Sequence, residues 1–355
     1  MRPQPALALL AYAYSCWTGP DSTATGADGA PAEAPAGDAP EAPEASNLSL
    51  GVNERYRAAI ELAAQRTGVD PSAIAAIINA EAGPVKDAAK RTAMTDEAFR
   101  FLHPERDWDE RPLNAKDPAD KALVDEWKAL YAGKAWDEQS LNAESQAGGL
   151  TQFLCSTWRT EAAREGTYLN QVALEKGLID ANGKILDDAA LLKLRFDPTL
   201  SIVAAAEYDQ SVLDAVSQET KKDPAHADEE LASRHPDRDF AKDPLDPRDP
   251  ADKPLIEEWK EINGSSGAPL VPPGLSDDER AKYLYLCHHE GETGAIRFLD
   301  GSLTDAQAHP LFLANVPDAD KRAALVAEHG SESAAYQAWL WDYIDDHIEP
   351  EEFRQ

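Results

Sequence analysis

A glutamate at the end of a predicted helix is the residue best placed for acid chemistry in this chain. Asp70, followed by proline, predicts the start of a helix that runs to about Glu81, with Gly83 beyond its end. Glu81 continues an apolar stripe formed by Ile74, Ile77 and Ile78. Apolar neighbours and the negative end of the helix dipole both favour a protonated carboxyl, which is what a general acid needs. A glutamate turned to solvent is equally compatible with this position alone.

Two other groups of residues are candidates for chemistry. Glu207 lies on a predicted helix stripe with Leu200, Val203 and Ala204, so it is either a second carboxylate of a cleft or an ordinary helix-face glutamate. His288, His289 and Glu290 suggest a metal site at first sight. Adjacent residues of a helix point about 100° apart, and no His-Glu-x-x-His pattern is present, so we expect no metal and no cofactor.

A segment between the Glu81 helix and the Glu207 helix carries a family resemblance. Gly149-Leu-Thr-Gln152-Phe-Leu154 resembles the Gly-Leu-Met-Gln signature of soluble lytic transglycosylases and goose-type lysozymes, and more closely a variant found in related bacterial wall-associated proteins. Two further segments match the family in the same order, 204–208 with its Glu-Tyr pair and 286–294 with its glycines. The resemblance covers about 53–85, 136–216 and 275–299.

The resemblance implies a mainly α, lysozyme-like catalytic domain in which Glu81 is the catalytic acid. It further implies that the sugar or the acid is held by Gln152, Tyr208, His288, Thr151 and His289. This chain departs from the family at two positions: Ala82 follows the acid where serine is common, and His288 stands where tyrosine is usual.

By this resemblance, the substrate is peptidoglycan and the reaction is that of a lytic transglycosylase with a single acid. Glu81 protonates the oxygen between N-acetylmuramic acid and N-acetylglucosamine, and a 1,6-anhydro ring then closes. If Glu207 instead activates water, the product is a reducing sugar and the enzyme is a lysozyme. A non-catalytic peptidoglycan-binding module is the alternative from another class, and the two departures favour it.

The elements that position these residues are predicted to be helical throughout. Helical periodicity covers 53–67, 70–81, 150–164, 197–216, 277–299 and 333–347. Alternating β-branched runs are scarce. The fold is therefore expected to be mainly α, with a lysozyme-like domain over 49–350.

An internal repeat interrupts the resemblance twice. Residues 103–130 and 235–262 match at a constant offset, and we expect two homologous loop-helix inserts at 99–132 and 228–265. Each copy predicts a helix start at an Asp-Pro pair, and its packing stripe includes Trp127 or Trp259. The repeated aspartates do not follow the spacing of an EF-hand loop, so helix capping and solvation explain them. Buried indole rings are expected, and exposed rings suited to sugar stacking are the alternative.

The remaining features concern location and partners. Residues 1–16 resemble an export signal, Cys16 is a candidate for lipid attachment, and 17–48 form a tether rich in Ala, Pro and acidic residues. We therefore expect a periplasmic or envelope-associated protein. The net charge of −31 argues against nucleic acid and anionic membrane surfaces as partners. Outside the cytosol Cys155 and Cys287 either pair or remain separate core residues.

Overall fold

A computed structural model describes residues 47–220, 224–240, 242–243, 245, 251–265 and 269–355. The predicted export signal, Cys16 and nearly all of the predicted tether lie outside these residues. The folded region begins slightly before the predicted boundary, because Leu48 is buried and forms an antiparallel bridge with Arg354 near the other end of the chain. No helix in the described part of the chain is both long and apolar enough to span a bilayer.

The prediction of a mainly α fold is confirmed, and the β pairing of the described residues is limited to isolated bridges. In the described part of the chain, short 3-10 helices lie beside the ends of α-helices at Gly51–Tyr56, Pro118–Asp120 and Leu194–Phe196, and another lies at Pro350–Phe353. The described residues form α1 (Arg57–Thr67), α2 (Pro71–Glu81), α3 (Ala88–Leu102), α4 (Lys121–Ala132), α5 (Cys155–Ala163), α6 (Tyr168–Glu175), α7 (Asp188–Lys193), α8 (Pro198–Ser217), α9 (Pro224–Arg234), α10 (Lys253–Ser265), α11 (Asp277–Asp300), α12 (Asp305–Asn315), α13 (Ala319–His329) and α14 (Glu332–His347).

The main core is built around α2, which contacts α1, α8, α11 and α14. Asp70 caps its N-terminus by accepting a hydrogen bond from the backbone N–H of Ser72, and the helix ends at Glu81 as expected. Seven of its residues besides Glu81 are buried, so neighbours enclose α2 almost completely. The end of α2 is therefore held in place by packing from several directions.

One predicted helix begins later than expected. The sequence suggests a helix over 150–164, but α5 starts at Cys155 and the Gly-Leu-Thr-Gln residues form turns before it. Gly149 has φ +83° and Gln152 has φ +49°, which lie in the left-handed region and are incompatible with a right-handed helix. The signature is a loop with a fixed backbone, placed ahead of the helix.

In the described residues each repeat contains a pair of packed helices, α3 with α4 and α9 with α10. The indole N–H of Trp127 donates to Asp96 at 2.7 Å, and that of Trp259 donates to Asp228 at the same distance. Two further side-chain pairs occur in both repeats. Arg106 bonds Asp120 in the first repeat, as Arg238 bonds Asp252 in the second. His103 likewise pairs with Glu126, and His235 pairs with Glu258. The predicted cap at Asp117 is present, whereas Asp249 and Pro250 lie outside the described residues.

The indole rings of the repeats are half-buried, between the two alternatives that the sequence left open. We expect Trp127→Ala and Trp259→Ala each to lower the free energy of unfolding by about 1–3 kcal/mol, less than for a fully buried ring. Urea unfolding of both variants measures this loss. Trp127→Phe keeps a ring but removes the bond to Asp96, so it separates packing from hydrogen bonding. Two alanine variants that unfold like the parent but bind glycan poorly would instead identify these rings as sugar-binding surfaces.

Candidate functional site

The carboxyl group of Glu81 lies in an enclosed position at the end of α2. The residue is only 8% exposed, and its Oε1 accepts a hydrogen bond from the Tyr285 hydroxyl of α11 at 2.8 Å. The half-buried amine of Lys134 donates to the backbone oxygen of Asn79, two residues before Glu81. Glu81 is thus bonded by one phenol and lies within the electrostatic influence of one cation.

Burial and the charge of Glu81 set the protonation of its neighbours. Burial first, and the Glu81 charge second, raise the pKa of Tyr285 well above its ordinary value and also raise that of Tyr343. Both phenols therefore keep their protons near neutral pH. Burial lowers the pKa of Lys134, and the negative charge of Glu81 opposes that shift. Glu81 therefore lies among protonated phenols and near a cation that is partly desolvated.

A buried ion pair adjoins Glu81. His288 Nδ1 lies 2.8 Å from Asp209 Oδ1, and His288 Nε2 lies 3.1 Å from the backbone oxygen of Thr151. Because both neighbours are acceptors, both ring nitrogens act as donors and the imidazole is charged. Burial disfavours that charge, but the Asp209 carboxylate, its hydrogen bond and Glu81 outweigh it and raise the pKa of His288 to about 9. Burial also raises the pKa of Asp209.

The Gly-Leu-Thr-Gln turn is fixed by its own backbone and by a buried arginine. A Cβ on Gly149 would lie 2.0 Å from the backbone oxygen of Arg195, so only glycine fits there. The Arg195 guanidinium donates to the backbone oxygens of Gln146 and Phe153, on either side of the turn, at 2.8 and 2.9 Å. The Gln152 amide donates to the backbone oxygen of Gly149 at 2.8 Å, which supports its own left-handed conformation.

Backbone hydrogen bonds tie this turn to the end of α2. The Gly83 oxygen accepts from the N–H of Asp137 at 2.8 Å. Three residues further on, the Ser140 oxygen accepts from the N–H of Gly149 at 2.9 Å. The segment just after Glu81 is therefore connected, through residues 137–140, to the signature turn at 149–152.

Four of the predicted sugar contacts share one small pocket of about 20 Å³, lined in part by Gln152, Tyr208, His288 and His289. Tyr285 connects this pocket to Glu81, since its ring centroid lies 6.4 Å from that of His288 and 6.1 Å from that of His289. The side chain of Thr151 is engaged within the protein. Its buried hydroxyl bonds Ser201 at 2.9 Å, and only its backbone oxygen meets His288.

Glu207 lies in a different environment from the one suggested for a second carboxylate. Its Oε1 accepts from Arg66 at 2.7 Å, and its Oε2 accepts from the backbone N–H of Tyr168, the first residue of α6. Both oxygens therefore join helices together. Asp209, two residues later, is the carboxylate of α8 that interacts electrostatically with Glu81.

Two residues of the site were not anticipated from the sequence. Asp209 lies on the buried stripe of α8, between Ala206 and Leu213, where a charged group is unusual. Tyr285 precedes His288 by three residues and so shares its helix face. Helical spacing carries both signals, although it does not reveal their partners. Cys155 and Cys287 remain separate free thiols, the second of the two alternatives.

Removing the Tyr285 hydroxyl tests its role beside Glu81. If Glu81 is the acid that the family resemblance implies, Tyr285→Phe should lower the turnover of wall substrate about tenfold with little change in KM, because a hydrogen bond to a carboxyl group contributes about 1.5–3 kcal/mol. Initial rates of wall solubilisation at several substrate concentrations measure this. Tyr283→Phe is the matched control, since this half-buried tyrosine on the same helix packs against Trp341. Equal rates for both variants would contradict the role.

Comparison of the chain with protein-family models, curated proteins and solved structures finds no match. The resemblance to lytic transglycosylases and goose-type lysozymes thus rests on the motifs. Their geometry supplies the physical argument for what the site does.

Proposed function

We propose that this chain cleaves the glycan strands of peptidoglycan as a lytic transglycosylase, with Glu81 as the catalytic acid. The observation that carries the proposal is the placement of Glu81, enclosed at the end of α2, bonded by Tyr285 and connected to the signature turn. A carboxyl group fixed in this way is placed to deliver a proton to one defined position on a bound sugar.

The reaction needs only this one carboxyl group. Glu81 gives its proton to the glycosidic oxygen as the bond from that oxygen to C1 of N-acetylmuramic acid breaks. The C6 hydroxyl of the same sugar then attacks C1 and returns a proton to Glu81, which closes the 1,6-anhydro ring. The acid is regenerated, and no water enters the product.

The positions of the other carboxylates favour this route over hydrolysis. An inverting glycosidase needs a second carboxylate to activate water, and a retaining one needs it as a nucleophile. Asp209 is paired with the charged His288, and Glu207 is engaged by Arg66 and the N-terminus of α6. Since both already serve structural partners, the single-acid route fits this site better.

The products of digestion test the proposal directly. Purified cell wall treated with the full chain should lose turbidity, and mass spectrometry should find fragments that end in 1,6-anhydro-N-acetylmuramic acid. Fragments heavier by one water would change the proposal to hydrolysis. Absence of any cleavage, with retained binding to the wall, would favour a non-catalytic binding module.

The arrangement of the domain is proposed in the same terms. We infer that the bundle around α2 is a lysozyme-like domain and that the two repeats are accessory inserts, because each lies between segments that carry the motifs. The repeats use their distinctive side chains within their own helix pairs. The expected export signal would bring the domain to its substrate, and fractionation of cells that express the full chain tests this location.

A further inference from the structure

His289 has a free ring nitrogen in a place where buried polar groups normally have partners. Its side chain is 1% exposed, and its Nε2 makes no hydrogen bond to any described residue. The adjacent His288 differs, because both of its nitrogens are engaged. A buried nitrogen without a partner is uncommon in folded proteins and indicates a site for a further group.

The other side of the imidazole is held by a buried carboxylate. His289 Nδ1 lies 3.0 Å from Oε1 of Glu290, and the same oxygen accepts a hydrogen bond from the hydroxyl of Tyr336 on α14. Gly294 makes room for this arrangement, since a Cβ there would lie 3.1 Å from Glu290 Oε2. In a neutral imidazole, a proton on Nδ1 that is donated to this carboxylate leaves Nε2 with a lone pair.

The pocket beside His289 has the size and chemistry for one small donor group. Its volume of about 20 Å³ accommodates a group of the size of a water molecule or a hydroxyl. Phe153 and Leu154 supply apolar walls, while Gln152 and Tyr208 place the pocket at the signature turn. A hydroxyl inserted here would find its acceptor in Nε2.

We propose that His289 Nε2 accepts a hydrogen bond from a hydroxyl group of the bound sugar, with Glu290 and Tyr336 holding the imidazole in the required tautomer. This inference rests on the proposed function, because it takes the ligand to be a glycan. His289 would then be a direct substrate contact, whereas Glu290 and Tyr336 would be positioning residues.

Nitrogen NMR of the labelled full chain tests the contact without turnover. The probe is a soluble tetrasaccharide of alternating N-acetylglucosamine and N-acetylmuramic acid, added to a Glu81→Gln variant. We expect a protonated Nδ1 and an unprotonated Nε2 before addition, and an upfield shift of Nε2 alone on saturation. In Glu290→Gln the preference for this tautomer should be lost, since an amide can either donate to or accept from Nδ1.

Affinity provides a second, independent readout. In the same background, His289→Phe should raise the Kd of the tetrasaccharide about tenfold. His289→Gln, whose amide oxygen can accept a hydrogen bond, should recover part of the loss. The matched control is His309→Phe, because His309 also pairs with a glutamate, Glu332, but at an exposed position.

The outcomes separate this inference from the proposed function. A protonated Nε2 in the free protein, or an Nε2 resonance that does not respond to the saturating tetrasaccharide, would overturn the inference even if wall cleavage is intact. An Nε2 that responds in a protein that does not cleave wall would support the inference and overturn the lytic activity.

Discussion

A Glu81→Gln variant is expected to release fragments from purified cell wall at least about 10³ times more slowly than the parent, because the amide cannot donate a proton to the leaving oxygen. The fold should persist. The Gln side chain can still accept the hydrogen bond that Tyr285 gives to Oε1. Rates from turbidity and product analysis, together with urea unfolding curves, measure both effects. A variant that retains full activity would rule out Glu81 as the acid.

Glu207→Gln is the control that distinguishes the two glutamates. It changes the same functional group, but on a carboxylate that bonds Arg66 and the backbone of Tyr168. We expect cleavage close to the parental rate and a modest loss of stability from the weakened ion pair. If Glu207→Gln abolishes cleavage while Glu81→Gln does not, the roles assigned to the two residues are reversed.

The stability of the protein is expected to fall as the pH rises from about 6.5 to about 9, through the buried pair of His288 and Asp209. The folded protein keeps the proton on His288 until the pH nears 9, whereas the unfolded chain releases it near 6.5. Between these values the folded state binds more protons, so rising pH favours unfolding. The loss is on the order of a few kcal/mol. The raised pKa of Asp209 acts in the same direction as the pH passes through it.

Urea unfolding at several pH values measures this slope. The double variant His288→Gln with Asp209→Asn removes both charges and keeps polar groups that can bond each other, so its stability should change less over this interval. The single variant Asp209→Asn should be the least stable at neutral pH, because it leaves a buried imidazole without its carboxylate. Identical slopes for the parent and the double variant would show that the pair does not control the pH dependence.

The sequence alone predicted the main helices that carry the site and identified Glu81 as the acid candidate, whereas α6, α7, α12 and α13 were not predicted. The start of α2 is predicted by Asp70 and Pro71, and its buried face by the isoleucine stripe that leads to Glu81. These signals depend only on residues close together in the chain, so the folded protein retains the helix that they predict. The repeat was also evident, because identical residues at a constant offset form identical hydrogen bonds. Periodicity could not show that 150–153 form turns, since the left-handed conformations of Gly149 and Gln152 depend on contacts with Arg195 and Ser140.

Only the tertiary structure decided which polar groups meet. Tyr285 and Glu81 are 204 residues apart in the chain, and His288 and Asp209 are 79 apart, so no local pattern links them. Whether Glu207 or Asp209 lies near Glu81 depends on how α8 is rotated against α1 and α11. The packing of buried side chains sets this rotation. The same packing encloses His289 and Glu290 and leaves Nε2 of His289, a residue that lines the pocket, without a partner. Residue types thus indicate what chemistry is available, whereas helix packing selects the groups that carry it out.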